Sequence, residues 1–257
     1  MFNKSQIQLK TPEQFATMRK AGRVVALCLE EIKTQIKPGM TTLDLDLIAR
    51  EIMEKEGAKP SFLGYHGYPA VICVSINEEV VHGIPNEKRI INDGDLVSVD
   101  CGAIIDGWHG DAAVTIGVGN VKPEHQKLSD ITKESLQIGI DVALPGKHIG
   151  DIGFAIEKFV RTHHDLKIGI LEDYVGHGIG TEMHMAPSVP NYGKAGSGPE
   201  LQVGMAIAIE PMLVLGSNKV HVLEDEWTVV SSEGSFASHW ENTIAITENG
   251  PEILTKL

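Results

Sequence analysis

The chain has 257 residues, 42% of them hydrophobic, and a formal charge of -13 at pH 7. That is enough apolar material for one large core or two compact halves, which excludes disorder. No Lys/Arg cluster stands out against the acidic background to meet phosphates, which argues against a nucleic-acid binder. Three cysteines, Cys28, Cys73 and Cys101, show no paired spacing; they give no zinc-finger pattern and suit a reducing compartment, so the cytoplasm is the expected location. The N-terminus carries no apolar signal core, and the apolar run from Met205 to Leu215 is short and broken by Glu210 and Pro211, so neither export nor a membrane span is expected.

In chain order, Thr11-Pro-Glu-Gln14 supplies a cap, a proline at the first helical position and a glutamine at the third. Phe15, Met18, Gly22, Val25, Leu29, Ile32 and Ile36 follow at steps of three and four, which predicts a long amphipathic helix. Pro38-Gly39 stops it. Thr41 and Thr42 open a second helix through Leu43, Leu47, Ile48 and Ile52, ended by Gly57. Strands are expected through Val71 to Ile76, and then a hairpin from Asp95 to Asp111. In that hairpin Leu96, Val97, Val99, Ile104 and Ile105 are β-formers, with Gly102 and Asp106-Gly107 supplying turn chemistry. Alternation places Asp100 on one face with Ser98, and Asp111 on one face with Ala113 and Thr115. A carboxylate among small side chains leaves room beside it for water, a cation or a substrate.

The second half repeats this plan. Pro123-Glu124 opens a helix with Leu128, Ile131, Ser135, Ile138 and Val142, and Pro145-Gly146 stops it. Asp151 follows Pro145 by the same six residues that separate Asp44 from Pro38. Another helix through Ile152, Ile156 and Phe159 comes next. His-Gly-Ile occurs at His82 and again at His177. Gly94 to Asp100 has a counterpart in Gly204 to Glu210, and Trp108-His-Gly-Asp111 a looser one in His239-Trp240-Glu241. A helix-helix-strand unit occurring twice predicts an α/β (α+β) fold of two halves related by a pseudo-twofold axis, with antiparallel sheets at the centre and helices outside. The expected organisation is a single domain over 1–257, with halves at about 10–121 and 122–250.

Such symmetry brings Asp100, Asp111, Glu210 and Glu241 together. Gathered carboxylates repel one another and raise their own pKa values unless positive charge is present. Two divalent cations balance them. With one neutral imidazole added, two metals about 3.5–4 Å apart form the arrangement that activates a shared water for hydrolysis. Oxygen-dominated ligands with one nitrogen favour Mn, Fe(II), Co or catalytic Zn. A single Asp at a strand end is ordinarily a turn or cap residue. Glu210 is different, because a lone carboxylate inside Met-Ala-Ile-Ala-Ile-Glu-Pro-Met-Leu-Val-Leu is costly to desolvate unless paired or ligated. No Gly-x-Ser-x-Gly occurs for a serine nucleophile, and Cys73 and Cys101 lack a visible general base.

Asp100 and Asp111 eleven positions apart, Gly176-His-Gly-Ile-Gly180, Ala208-Ile-Glu-Pro211 and Glu241 before Asn-Thr-Ile resemble the type I methionine aminopeptidases. Tyr65-His-Gly-Tyr-Pro69 and Asn77-Glu-Glu-Val-Val-His-Gly-Ile-Pro85 extend the resemblance over nearly the whole chain. It implies the pita-bread fold and removal of N-terminal methionine from peptides and nascent chains whose second residue is small. It further implies that Asp100 chelates one metal and His177 binds the other, that Asp111 and Glu241 bridge, and that Glu210 is both ligand and proton carrier. His82 and His184 would then contact the substrate amide and the tetrahedral oxygen. Tyr65, Tyr68, Cys73, Met183 and Trp227 would line the methionine pocket. Met183 departs from the aromatic that relatives commonly carry there. The chain resembles the short bacterial form, and the 31 positions from Glu210 to Glu241 leave no room for the helical insertion of type II enzymes. A monomer is expected, with the ribosome a candidate partner and no membrane or nucleic acid. The rival readings are an X-Pro aminopeptidase or prolidase, and a non-catalytic binding protein of the same fold.

Overall fold

A computed structural model describes residues 7–257; residues 1–6, part of the N-terminal stretch read above for a signal core, lie outside the described residues. Helix α1 (Pro12–Gln35) begins as its sequence dictates: the Gln14 N–H donates to Thr11 Oγ1, and the Thr11 N–H donates back to the Gln14 side chain at 2.9 Å. Its inward stripe is Phe15, Met18, Val25, Leu29 and Ile32. Helix α2 (Thr42–Lys55) starts with the Thr41 N–H donating to the Asp44 carboxylate at 2.7 Å. The second half has α3 (Pro123–Asp141) and α4 (Ile149–Val160), and there the His148 N–H donates to Asp151, also at 2.7 Å. Asp44 and Asp151, matched by spacing in the sequence, thus make the same helix-opening bond.

In the first half the strands are β1 (Lys59–Pro60), β2 (Ile72–Ile76), β3 (Glu79–Val81), β4 (Leu96–Ile105) and β5 (Trp108–Gly117). The second half contributes β6 (Ile168–Ile170), β7 (Gly176–Gly178), β8 (Met185–Val189), β9 (Ala206–Ile209), β10 (Met212–Leu215), β11 (Val220–Val222), β12 (Val229–Ser231), β13 (Ala237–His239), β14 (Asn242–Thr247) and β15 (Gly250–Ile253). One sheet runs β1-β4-β2 with β5 paired to β4, and another runs β15-β14-β9-β7-β8. Two smaller sheets, β13-β10-β6 and β11-β12-β3, complete the fold, the latter joining strands of both halves. Every pairing among the described residues is antiparallel. Helices α1 and α2 bury their stripes on β2 and β4 through Val25, Leu29, Ile32, Leu45, Ile72, Val97 and Val99. Helices α3 and α4 do the same on β9 and β14 through Leu136, Ile140, Ile152, Ile156, Ile207 and Ile244. This is the pita-bread arrangement of central sheets and outer helices.

The β4–β5 hairpin turns at Asp106 (φ 49°) and Gly107 (φ 80°), a two-residue turn with both central residues left-handed. Gly102, expected to serve turn chemistry, instead sits mid-strand opposite Asp111. An added Cβ there would lie 2.8 Å from the Phe62 ring, so its glycine answers to packing and not to a bend.

Close packing also fixes α1. A Cβ on Gly22 would lie 2.2 Å from the Leu254 carbonyl oxygen, and one on Gly110 of β5 would lie 2.8 Å from the Gly22 nitrogen. Ala ordinarily favours a helix over Gly by about 1 kcal/mol. Gly22→Ala is nevertheless expected to destabilise the protein by about 1–3 kcal/mol, because the new Cβ runs into the backbone of Leu254 and Thr255, which must move. Urea unfolding checks this, and an unchanged or raised midpoint would refute the contact.

Candidate metal centre and adjoining pocket

The β4–β5 register sets Asp100 opposite Ala113 and Asp111 opposite Gly102, so the acids are diagonal neighbours on one face. The second half delivers Glu210 at the end of β9 and Glu241 just before β14. Two straps align them: the Glu241 N–H donates to the Ala113 carbonyl at 2.9 Å, and the Asp111 N–H donates to the Thr243 side-chain Oγ1 at 3.0 Å. Thr243 Oγ1 donates in turn to the Asp111 carbonyl at 2.8 Å. The small residues that share faces with the acids therefore do more than leave space. They let two strands from different halves approach.

His177 lies in β7. Its Nδ1 is 3.0 Å from the Gly178 carbonyl oxygen, which places the ring proton on Nδ1 and leaves Nε2 with a free lone pair. One ligand atom each from Asp111, His177 and Glu241 fall within 4.8 Å of one another, and so do ligand atoms of Glu210, His239 and Glu241. Asp111, Glu241, His177 and His239 are buried, while Asp100 and Glu210 are partly open to the cavity that they line.

That cavity, of about 330 Å³, brings together all of the residues singled out in the sequence. Asp100, Asp111, His177, Glu210 and Glu241 form its acidic end, His82 and His184 stand beside them, and Tyr65, Tyr68, Cys73, Met183 and Trp227 complete it. Among the described residues no Lys or Arg lines it. Burial pushes Asp100 up to about 6, partly offset by His239. Burial and then the neighbouring carboxylates push Asp111 and Glu241 well above the carboxylate range. Glu210 goes the other way: burial raises it, but the imidazoles of His239, His177 and His184 outweigh burial and hold it below its ordinary value. Buried Asp100 Oδ1, Asp111 Oδ1 and Glu241 Oε1 have no hydrogen-bond partner among the described residues. Orphaned carboxyl oxygens facing one another without a basic side chain suit divalent cations, which would favour their ionised form.

His82 and His184 are neutral donors or acceptors at pH 7. Burial lowers His82 to about 4, and burial with the neighbouring His177 lowers His184 to about 3. Tyr65 Oη lies 2.8 Å from His184 Nδ1 and orients its ring. His82 holds a left-handed backbone (φ 61°), and the Gly83 that follows packs on β2, where an added Cβ would lie 2.2 Å from the Val74 carbonyl oxygen. The Tyr68 hydroxyl sits between the Gly83 and Ile72 carbonyls at 3.0 and 3.1 Å. Its ring meets Trp227 edge-on at 5.0 Å, closing the apolar end.

Three residues escaped the sequence reading. Phe62 packs with Tyr68, Ala70, Cys73 and Met183, so the pocket has an aromatic wall besides Met183. His66 also lines the cavity. Nothing in the sequence periodicity marks either, because both flank an irregular loop. His239 was legible in principle from its place two residues before Glu241, although β13 ends at His239 and β14 starts at Asn242, so it is the connection between the strands that brings the two side chains together.

Residues 16–248 match the model of a family described as metallopeptidase family M24. Methionine aminopeptidase 1 of Mycobacterium tuberculosis (strain CDC 1551 / Oshkosh) is 52% identical over 241 residues, 93% of this chain and 91% of its own. Methionine aminopeptidase 1 of Bacillus subtilis (strain 168) is 48% identical over 96% of this chain and 98% of its own. Among solved structures, methionine aminopeptidase from Thermotoga maritima superposes with a TM-score of 0.96 at 45% identity, over 98% of this chain and all of that one. Prolidase from Pyrococcus furiosus superposes with a TM-score of 0.77 at 23% identity and is matched over 67% of its length, a likeness of fold alone.

Proposed function

Since the chain belongs to metallopeptidase family M24, we propose that its cavity seats the first residue of a peptide against the acidic cage and that the cage residues direct hydrolysis of the next bond. The protein is a metal-dependent aminopeptidase that removes N-terminal methionine. The observation that carries the finer reading is the continuity of an apolar pocket with a cage of four carboxylates that no Lys or Arg of the described residues joins. Two divalent cations, of Mn, Fe(II), Co or Zn, suit the cage, held by Asp100, Asp111, His177, Glu210 and Glu241. When bound, they supply Lewis acidity and lower the pKa of water.

The chain's own residues divide the remaining work. Phe62, Tyr65, Tyr68, Cys73, Met183 and Trp227 bury the methionine side chain, worth roughly 1.5–3 kcal/mol over leaving it in water. They offer no partner to a charged side chain. Glu210, ionised at neutral pH, accepts a proton from the attacking water and passes it to the departing amine. Neutral His184 donates a hydrogen bond to the carbonyl oxygen as it gains charge, and neutral His82 holds the amide that follows. Substrates are peptides and nascent chains with a small second residue. The working form is read as a monomeric single domain in the cytoplasm that meets nascent chains at the ribosome.

His184→Ala is expected to lower kcat by about 10²–10³ while metal content stays the same, because a donor to the developing oxyanion acts in the transition state and not in ligation. An unchanged kcat would remove His184 from the mechanism. Substrate choice is tested with tripeptides varied at positions one and two, alongside N-acetylated controls. Met-Gly-x should be cleaved best, leucine at position one poorly, and acetylated peptides not at all. Better turnover of Ala-Pro-x would overturn the reading in favour of a proline-directed peptidase.

A further inference from the structure

His239 stands behind the cage. Its ring is 2% exposed and does not line the cavity, whereas Asp100, Asp111, His177, Glu210 and Glu241 all do. Its Nε2 is buried without a hydrogen-bond partner, 3.6 Å from Glu210 Oε2 and 3.9 Å from Glu241 Oε2. The other oxygen of Glu210, Oε1, lies 3.6 Å from His177 Nε2. The two oxygens of one carboxylate therefore face two different imidazoles.

The backbone of His239 is pinned more firmly than its place at a strand end requires. Its N–H donates to Thr115 Oγ1 at 3.0 Å, and Thr115 Oγ1 donates to its carbonyl at 2.8 Å. The Ser98 and Ser238 hydroxyls meet the same threonine oxygen at 2.8 and 3.1 Å. Thr115 shares its strand face with Asp111, so the ring is held in register with the cage. Glu210 is held too, with its carbonyl accepting from Asn191 Nδ2 at 3.0 Å.

We propose that His239 is a positioning residue for Glu210: from outside the cavity its Nε2–H takes Oε2, leaving Oε1 turned towards His177 and the cation site. The present separation of 3.6 Å is longer than a formed N–H···O bond, so the proposal requires Glu210 Oε2 to move towards the ring by about 0.6 Å. A carboxylate that both ligates and carries protons is less useful if either oxygen can turn inward. A buried donor behind it removes that freedom before substrate arrives. The inference rests on Glu210 serving as ligand and proton carrier, as proposed above.

The test compares His239→Leu, which removes the donor, with His239→Gln, which keeps an amide N–H at similar reach. Calorimetric titration of metal-free protein with Mn(II), kinetics on Met-Gly-Met at saturating metal, and pulsed EPR counting of imidazoles on bound Mn(II) supply the readouts. His239→Leu should weaken Mn(II) binding by about 10–100-fold and lower kcat by a similar factor, with KM changed by no more than about twofold. His239→Gln should recover most of both, and the imidazole count should be the same in all three proteins. Leu binding Mn(II) as wild type does, Gln faring no better than Leu, or the loss of one imidazole in the Leu variant would each overturn the proposal. If His239→Leu fails to fold, His239→Asn, whose amide is too short to reach, replaces it against Gln. Should wild type fail to cleave the peptide, the peptidase reading fails, while the Mn(II) titrations still decide the role of His239.

Discussion

Exhaustive chelation is expected to abolish cleavage of Met-Gly-Met, and Mn, Fe(II) or Co added back to restore it. The cage explains why nothing else substitutes: its carboxylates face one another with no Lys or Arg of the described residues on the cavity wall, and three of their oxygens have no partner among those residues. Asp100→Ala should lose a cation and activity together, since it removes one carboxylate and unbalances the charge of the rest. Metal removal should also change how stability depends on pH. Burial holds Asp100 at about 6 against an ordinary 3.8, so between these values the folded metal-free protein keeps a proton that the unfolded chain releases. The Asp100 contribution to stability is therefore fully present below this window and lost as pH rises through about 6, and the raised Asp111 and Glu241 extend the loss upward. The lowered His82 and His184 act the opposite way up to the ordinary histidine range, but in both forms, so the difference between metal-free and loaded protein isolates the carboxylates. Cations favour the ionised carboxylates, so loaded protein should lack this decline. Thermal melts at pH 5 to 8 with and without Mn(II) check it. Full activity in the continuous presence of chelator, or parallel pH profiles for both forms, would sink the cation reading.

Glu210→Gln is expected to lower kcat by about 10²–10⁴, the range of a lost general acid–base group, and to weaken metal binding as well. The amide keeps the shape but cannot carry a proton between water and the departing amine. The surroundings make the contrast sharp: of the four cage acids, Glu210 is the one held below its ordinary pKa, by His239, His177 and His184 against the effect of burial. It is thus ionised and ready to accept at neutral pH. Measuring kcat with metal at saturation separates the two losses. If saturating metal restores wild-type kcat, Glu210 is a ligand only.

Much of this was legible because local rules and symmetry agreed. The capping sequence at Thr11, the six-residue spacing of Asp44 and Asp151, and the alternation around Asp100 and Asp111 each describe a short stretch of backbone, and each appears as read. What failed or was missed involves contacts distant in sequence. Gly102 looked like a turn residue because glycine near a hairpin ordinarily is one; the reason for it, the Phe62 ring, lies forty positions away. Phe62 and His66 join the pocket from a loop with no periodicity to announce them. His239 was hidden by its place near Glu241, since a histidine close to a strand acid has many ordinary uses, and only the facing Glu210 gives it one in particular.

The straps between Asp111 and Thr243, and between Ala113 and Glu241, also bear on the order of events in folding. Asp100 and Asp111 belong to one tight hairpin and can meet within a short stretch of nascent backbone. Glu241 lies 141 positions after Asp100, and closing so wide a loop carries an entropic cost that only an extensive set of already formed contacts repays. A cation gains little by templating that closure, because the hairpin supplies only Asp100 and Asp111 of the five proposed ligands. Refolding from urea should therefore proceed at a rate insensitive to Mn(II), with the ion captured only after the last strands are in place and its influence confined to slowing unfolding.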